Sequence, residues 1–157
     1  MLGDPFFAYA PPRSTGRELF NAAWIDSFLC QSAFAGIAAQ DVQATLLALT
    51  ANSIANEIAR LERLAKNERQ PLCDQVLICG GGARNSALMQ RLSESIRKAV
   101  GRDLPVQSTE AIGWSPQAIE AAAFAWLASR TLAGQSGNCP SVTGAVGPRI
   151  LGSITPA

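Results

Sequence analysis

The chain has 157 residues, of which 48% are apolar and 16% charged, and its 13 Lys and Arg residues nearly balance its 12 Asp and Glu residues. This composition excludes an intrinsically disordered chain, and the lack of a basic cluster argues against nucleic acid as a partner. The sequence has neither a run of about 18 uncharged apolar residues nor a basic segment followed by an apolar one. We therefore expect a cytoplasmic protein that makes no contact with a membrane.

The chain contains four Cys and no His. Without His or a Cys-x-x-Cys pair the usual zinc ligand sets cannot be assembled, and no nucleophile can be activated by an imidazole. Any proton transfer must use a carboxylate, a Lys or a residue elsewhere. We expect the cysteines to be buried free thiols in a reducing compartment.

Prolines at positions 5, 11 and 12 predict an irregular first segment over residues 1–13. Thr15 and Glu18 then have the spacing of a capping box, which predicts a helix from Thr15 to about Gln31. Aromatic side chains recur at every fourth position in it and predict a wide apolar face: Phe20, Trp24 and Phe28.

A second, longer helix is predicted from about Asp41 to Lys66, antiparallel to the first, with Pro71 closing the pair. Its apolar residues form one stripe: Val42, Leu46, Leu49, Ile54, Ile58, Leu61 and Ala65.

Two short strands and a helix follow. Asp74–Cys79 has the β-branched character of a buried strand, and residues 104–109 predict a second strand. Asn85 is a good N-cap for the helix between them, which should run to about Ala99 with an apolar face of Leu88, Leu92 and Ile96.

Ser115 and Pro116 predict the N-cap and first residue of a last helix, which Gly134 should end. Its predicted face consists of Ile119, Ala122, Ala123, Trp126 and Leu127. Residues 149–154 could form a final short strand. The element order α-α-β-α-β-α predicts a helix-rich α/β fold whose sheet is thin for an independent domain.

The stretch VLICGGGARNSALMQRL, residues 76–92, joins the first predicted strand to the next helix through three glycines. Such a turn presents free backbone N–H groups and the positive end of a helix, which suits an anionic or nucleotide ligand. A simpler explanation is a tight turn that needs a positive φ. Since one glycine normally supplies that conformation, the other two suggest that a ligand approaches the backbone closely.

Two familiar nucleotide loops fit this stretch poorly. The P-loop needs Lys and Ser or Thr after its glycines, but here the sequence continues as ARNSA. The dinucleotide fingerprint would have Asn85 in place of its third glycine, and Asp103 precedes the second strand instead of ending it. An NAD(P)-binding Rossmann-like domain remains an alternative.

Five collinear segments together resemble the anhydro-N-acetylmuramic acid kinases of bacterial cell-wall recycling, which belong to the actin-like ATPase and sugar kinase superfamily. The segments cover nearly the whole chain: PPRSTGRELFNAAW (11–24), DVQATLLALTANSIA (41–55), VLICGGGARNSALMQRL (76–92), TEAIGWSPQAIEAAAFAWLASRTLAG (109–134) and NCPSVTGAVGPRILGSITPA (138–157). The resemblance implies an α/β fold that is the helix-rich part of an actin-like ATPase (ribonuclease H-like) domain with an incomplete sheet.

The same resemblance implies ATP and Mg²⁺ as cofactors and 1,6-anhydro-N-acetylmuramic acid as substrate, whose anhydro bridge is hydrolysed while O6 is phosphorylated. Residues 1–157 are then expected to be a single partial domain, the C-terminal portion of a two-domain sugar kinase. The N-terminal phosphate-loop domain, the catalytic base and most of the magnesium site are expected in an absent N-terminal half. This chain is expected to contain no catalytic residue, to be inactive alone and to pair with that half, and a homodimer is compatible with the resemblance.

By the resemblance, Gly80, Gly81, Gly82 and Asn85 form an adenosine-binding turn, although Asn85 has an equally simple role as N-cap. Glu120 is either a carboxylate favoured by the helix dipole or one that faces the sugar site or the cleft. Arg13 and Arg17 are candidate cleft residues at the start of the first helix. The alternative from another class is a non-catalytic helical interaction module.

Overall fold

A computed structural model describes residues 1–65 and 73–155. In chain order, the helices and strands within these ranges are α1 (Pro5–Ala8), α2 (Ala22–Leu29), α3 (Ala39–Leu64), β1 (Val76–Ile78), α4 (Ser86–Val100), β2 (Val106–Ser108), α5 (Ala118–Leu132) and α6 (Pro140–Thr143). The chain divides into two compact units, of which one contains Ala38–Glu120 and the other contains Gly3–Ile37 with residues 121–155.

The unit of residues 38–120 holds the core. β1 and β2 pair in parallel, with Val76 opposite Val106 and Ile78 opposite Ser108. α3 packs against α4, and the buried side chains come from these two helices and from the residue before Pro105: Ala51, Ala55, Leu92, Ile96 and Leu104. Helix-rich packing around a two-stranded parallel sheet agrees with the predicted α/β class.

The predicted α3 is confirmed to within two residues at its start, and its predicted end at Lys66 lies outside the described residues, as does Pro71. The predicted apolar stripe is wrong in its centre, because the buried line of α3 consists of Ala51, Ala55 and Ala59. Small side chains let α3 approach α4 closely, so the alanines occupy the contact. Ile54 and Ile58 pack beside it, and Leu61 is 39% exposed.

The predicted α4 is confirmed, with Asn85 as its N-cap and Leu92 and Ile96 on its buried face. Gly101 ends it in the left-handed conformation, at φ 81°. Both predicted strands are present but three residues long each. β1, predicted to be buried, is half-buried.

The predicted start of α2 at Thr15 is wrong. The Glu18 carboxylate accepts the Gly16 N–H at 2.7 Å, so it does not close a capping box with Thr15. Asn21 caps the helix instead, since its side-chain oxygen accepts the Trp24 N–H at 3.0 Å. The predicted i, i+4 aromatic spacing is confirmed, with the rings of Trp24 and Phe28 5.0 Å apart.

The first 13 residues are less irregular than predicted, because Asp4 and Pro5 start the short helix α1. The Asp4 side chain accepts the Phe6 N–H at 3.0 Å, and Pro5 occupies a position where a helix needs no N–H donor.

α5 begins at Ala118 instead of at Pro116, and Gly134 follows its end with φ 65° as predicted. Among the described residues its predicted face is only partly covered, since Ile119 and Leu127 are half-buried, no residue of α5 is fully buried and Trp126 is 55% exposed. A periodic pattern identifies the apolar face of a helix but not the partner that covers it.

The predicted strand at 149–154 is wrong. The Arg149 N–H donates to the Asn138 side-chain oxygen at 2.7 Å, and the Arg149 carbonyl accepts the Gly137 N–H at 3.0 Å. These bonds hold the segment to a neighbouring loop, and the unpredicted helix α6 precedes it. The predicted order α-α-β-α-β-α corresponds to α2 through α5 and omits α1 and α6.

The cysteines are free, but the prediction that they are buried is wrong. Cys30, Cys79 and Cys139 are exposed and Cys73 is half-buried. Among the described residues, no helix combines the length and the apolar character needed to cross a bilayer.

Candidate functional site

The three glycines form a compact turn at the carboxyl end of β1. Gly80 has φ 71°, and its N–H donates to the Pro116 carbonyl at 2.9 Å. Gly81–Arg84 form a 3₁₀ turn, in which the Ala83 N–H donates to the Gly80 carbonyl at 3.2 Å. The turn is therefore fixed by its own hydrogen bonds and by the segment that leads into α5.

Two of the three glycines have a reason within the chain to lack a side chain. Gly80 needs its positive φ, and a Cβ on Gly82 would come within 3.3 Å of the Leu88 side chain. Gly81 needs neither, because its φ is not positive and a Cβ there would meet nothing within 4 Å. The backbone at Gly81 is exposed, so a group from outside the chain could approach it closely.

Asn85 is the N-cap of α4, which is one of its two predicted roles. Its side-chain oxygen accepts the Leu88 N–H at 3.1 Å. The side-chain amide nitrogen, on an exposed residue, donates to no group within the described ranges. The cap therefore fixes the side chain while leaving one donor for a ligand.

Thr109 lies at the same sheet edge as the glycine turn, and sequence reasoning missed it. It follows β2 directly, and the parallel register of Ile78 with Ser108 brings the carboxyl ends of both strands together. Thr109 is 7% exposed, and its hydroxyl has no hydrogen-bond partner in the part of the chain that the structure describes. Ligands of α/β proteins bind outside the carboxyl ends of strands, which is the signal that could have identified this residue.

Glu120 lies in the first turn of α5, four residues after the Pro116 carbonyl that accepts the Gly80 N–H. Its side chain is exposed and bonds to none of the described residues. It belongs to the same compact unit as the glycine turn, and both of its predicted roles stay open.

Arg13 and Arg17 belong to the other unit. The Arg13 guanidinium donates to the carbonyls of Phe6 and Tyr9 at 2.8 Å and lies over the Phe6 ring, 5.2 Å from its centroid. These contacts give Arg13 a structural role in holding the first residues of the chain. Arg17 is exposed, and neither residue is at a helix start, since α2 begins at Ala22.

The turn has no group that would chelate phosphates through a side-chain ammonium. Within residues 1–65 and 73–155, no three or more carboxylate or thiol side chains come together as a metal site. Hydrogen bonds from Trp24 and Phe6 lower the pKa of Asp4, and Glu57 raises that of Arg60.

The position of Asp103 argues against the alternative of an NAD(P)-binding Rossmann-like domain. Asp103 precedes β2, whereas the acidic residue that binds a ribose in a Rossmann domain comes at the end of the second strand. Asp103 therefore does not occupy the position of the ribose-binding acid of the dinucleotide fold.

Comparison with known proteins gives consistent results. The sequence model described as "Anhydro-N-acetylmuramic acid kinase" matches residues 1–157. Proteins of that name from Burkholderia cenocepacia and Burkholderia thailandensis are 49% and 48% identical over 156 residues, which is 99% of this chain and 38% of each relative. The relative from Paraburkholderia xenovorans is 46% identical over 156 residues, 99% of this chain and 39% of its own length. The chain thus spans about two-fifths of the length of the curated relatives it matches, and it belongs to the anhydro-N-acetylmuramic acid kinase family.

Proposed function

We propose that this chain supplies the adenosine-binding side of an ATP-dependent kinase that acts on 1,6-anhydro-N-acetylmuramic acid. The whole enzyme would hydrolyse the anhydro bridge and phosphorylate O6, giving N-acetylmuramic acid 6-phosphate in the cytoplasm. Membership of the family supports the reaction class. The observation that carries the nucleotide role is the bare backbone at Gly81, which neither backbone strain nor packing explains.

In this proposal ATP supplies the phosphoryl group that O6 receives. The backbone of Gly80–Gly82 packs against the base and ribose, and the free amide nitrogen of Asn85 donates a hydrogen bond to the nucleoside. Without a lysine at the turn, the phosphates and Mg²⁺ are held mainly by residues outside this chain.

The proposal is tested by titrating the ¹⁵N-labelled chain with adenosine, ATP and inorganic triphosphate and following the amide signals of residues 80–85. Adenosine and ATP should both shift these signals, because the turn binds the nucleoside. Triphosphate should leave them unchanged. If triphosphate alone shifts the turn, the turn is a phosphate cradle, and if no probe does, the nucleotide role is wrong.

A pair of matched variants separates binding from folding. Gly81→Met should weaken adenosine binding about tenfold or more, because the side chain occupies the space of the ligand, and its Cβ would meet no atom of the protein within 4 Å. Ser93→Met adds the same side chain to an exposed position of α4 and should bind like the parent chain. Equal affinity of the two variants would argue against the site.

A second candidate function is that of a helical interaction module. It is supported by two large side chains of α5, since Phe124 is 64% exposed and Trp126 is 55% exposed. Soluble proteins rarely leave such neighbours uncovered. We propose that these side chains contact the remaining part of the kinase. Nucleotide binding by the turn and interaction through α5 would then be two roles of the same chain. A homodimer through the same side chains is the competing arrangement.

A further inference from the structure

A polar cavity lies in the unit of residues 38–120, along the contact between α3 and α4. Its volume is about 520 Å³, within the range of small-molecule sites. Ala55 and Ala99 contribute short side chains to its wall, and Leu2 is the large apolar residue among those that line it. The longer side chains around it are almost all polar.

Hydrogen-bond donors dominate this cavity. Arg91 and Lys98 line it from α4, and Asn52 and Asn56 line it from α3. The Ser95 hydroxyl donates to the Asn52 side-chain oxygen at 2.8 Å, which fixes that amide and leaves its nitrogen as a donor. The lining therefore has two cationic groups and two amide groups, opposed by a single carboxylate, that of Glu94.

The two cations, Arg91 and Lys98, are exposed residues of α4. Neither Arg91 nor Lys98 forms an ion pair or a side-chain hydrogen bond with residues 1–65 or 73–155. Seven residues separate them, which on a helix is nearly two turns, so both lie on one face about 10 Å apart along the axis. The Glu94 carboxylate accepts a hydrogen bond from the Gln90 amide at 2.9 Å instead of pairing with either.

The cavity is separate from the glycine turn. Asn85 and the turn are at the N-terminal end of α4, whereas the cavity is lined by the later turns of the helix, from Arg91 to Ala99. Binding in the cavity is therefore independent of the nucleotide role proposed for the turn.

We propose that this cavity binds a small polar molecule that carries a carboxylate or a phosphate group. Arg91 and Lys98 bind the anionic oxygens through charge-assisted hydrogen bonds, which are the stronger class. The amide groups of Asn52 and Asn56 bind further oxygen atoms of the same molecule. Glu94 opposes the anion and weakens its binding.

The test follows the amide signals of the ¹⁵N-labelled chain during separate titrations with inorganic phosphate and malonate, at an ionic strength held constant with chloride. One or both probes should produce saturable shifts at residues 91–99 and at the side-chain amides of Asn52 and Asn56. Tighter binding of phosphate identifies a phosphate-bearing ligand, and tighter binding of malonate identifies a carboxylate-bearing one. Shifts that do not saturate with either probe overturn the proposal.

Charge variants on the same helix provide the control. Arg91→Gln and Lys98→Gln should each weaken binding about tenfold, since each removes a charge-assisted contact. Glu94→Gln should strengthen it. Arg97→Gln removes the same charge from a residue that does not line the cavity and should change affinity by less than about twofold.

A loss of affinity in Arg97→Gln as large as in Arg91→Gln would mean general attraction to a basic helix, which overturns the site. Gly81→Met should leave phosphate or malonate binding unchanged. This readout keeps failure of the cavity distinct from failure of the glycine turn.

Discussion

At the residue scale, single polar contacts determine which side chains are held in place. The Trp24 indole N–H donates to the Asp4 carboxylate at 3.0 Å, which joins α2 to the start of α1. This bond and a second one from the Phe6 N–H favour the charged carboxylate and lower the pKa of Asp4 below its usual 3.8. Because the folded pKa is the lower one, the bonds stabilise the protein above pH 3.8, and this contribution is lost as the pH falls through the folded pKa.

We expect Trp24→Phe to raise the pKa of Asp4 towards its usual value, because it removes the indole donor and leaves the Phe6 N–H in place. The measurement is a carboxyl ¹³C titration followed by NMR. Trp126→Phe, at an exposed aromatic residue whose ring lies against Arg130, should leave the Asp4 titration unchanged. An Asp4 pKa equal in the parent chain and in Trp24→Phe would show that the indole does not act on this carboxylate.

The candidate site shows what a sequence can and cannot predict about single residues. The Gly80–Gly82 turn and the Asn85 cap follow from local sequence, because strand, glycines and helix are contiguous. The buried hydroxyl of Thr109 and the bond from Gly80 to the Pro116 carbonyl depend on how separate segments pair. Such contacts are set by the parallel register of the strands, which no local pattern encodes.

At the element scale, the contact between α3 and α4 shows how size complementarity selects a helix face. Ala51 and Ala55 of α3 meet a core that contains Leu92 and Ile96 of α4, each at most 1% exposed. The hydrophobic pattern of α4 predicts its face correctly because its large residues are the buried ones. The pattern of α3 misleads because its buried line is alanine, which a search for large apolar residues passes over.

Truncating the larger partner should therefore destabilise this unit. We expect Leu92→Ala to lower the free energy of unfolding by about 2–5 kcal/mol, since it removes buried contacts and leaves a cavity. Leu64→Ala makes the same chemical change at a residue of α3 that is 70% exposed, and it should cost less than about 0.5 kcal/mol. Urea unfolding followed by circular dichroism compares the two, and equal losses would contradict the observed core.

The predicted start of α2 is wrong because two residues near it could act as the N-cap. Thr15 and Glu18 have the spacing of a capping box, but Glu18 bonds to the Gly16 N–H and Asn21 caps α2. Spacing alone favours Thr15, because the residue three positions after Asn21 is Trp24 instead of Glu or Gln. The cap that forms is the bond from the Trp24 N–H to the Asn21 side-chain oxygen.

At the scale of the whole molecule, the main feature is a set of large apolar side chains that the described residues leave exposed. Five of them, each at least 50% exposed, lie in α5 and the segment before it: Ile112, Trp114, Phe124, Trp126 and Leu132. Others lie after α5, among them Val146 and Ile154. The curated relatives are longer, since this chain spans 38% of one from Burkholderia cenocepacia. On the proposed function, the rest of a full-length kinase covers these side chains and supplies the phosphate loop and the base.

The proposal predicts that the chain alone, given ATP, Mg²⁺ and 1,6-anhydro-N-acetylmuramic acid, produces no N-acetylmuramic acid 6-phosphate. Adding a separately produced N-terminal half of a family member should restore product formation, detected by mass spectrometry, and should shift the fluorescence of Trp126 as it becomes buried. Phe124→Ser should weaken this complementation, because it removes an apolar contact, whereas Ala128→Ser on the same helix should not. Product formation by the chain alone would show that it contains a complete active site. Complementation unaffected by Phe124→Ser, with self-association of the chain lost instead, would assign the exposed face of α5 to a homodimer.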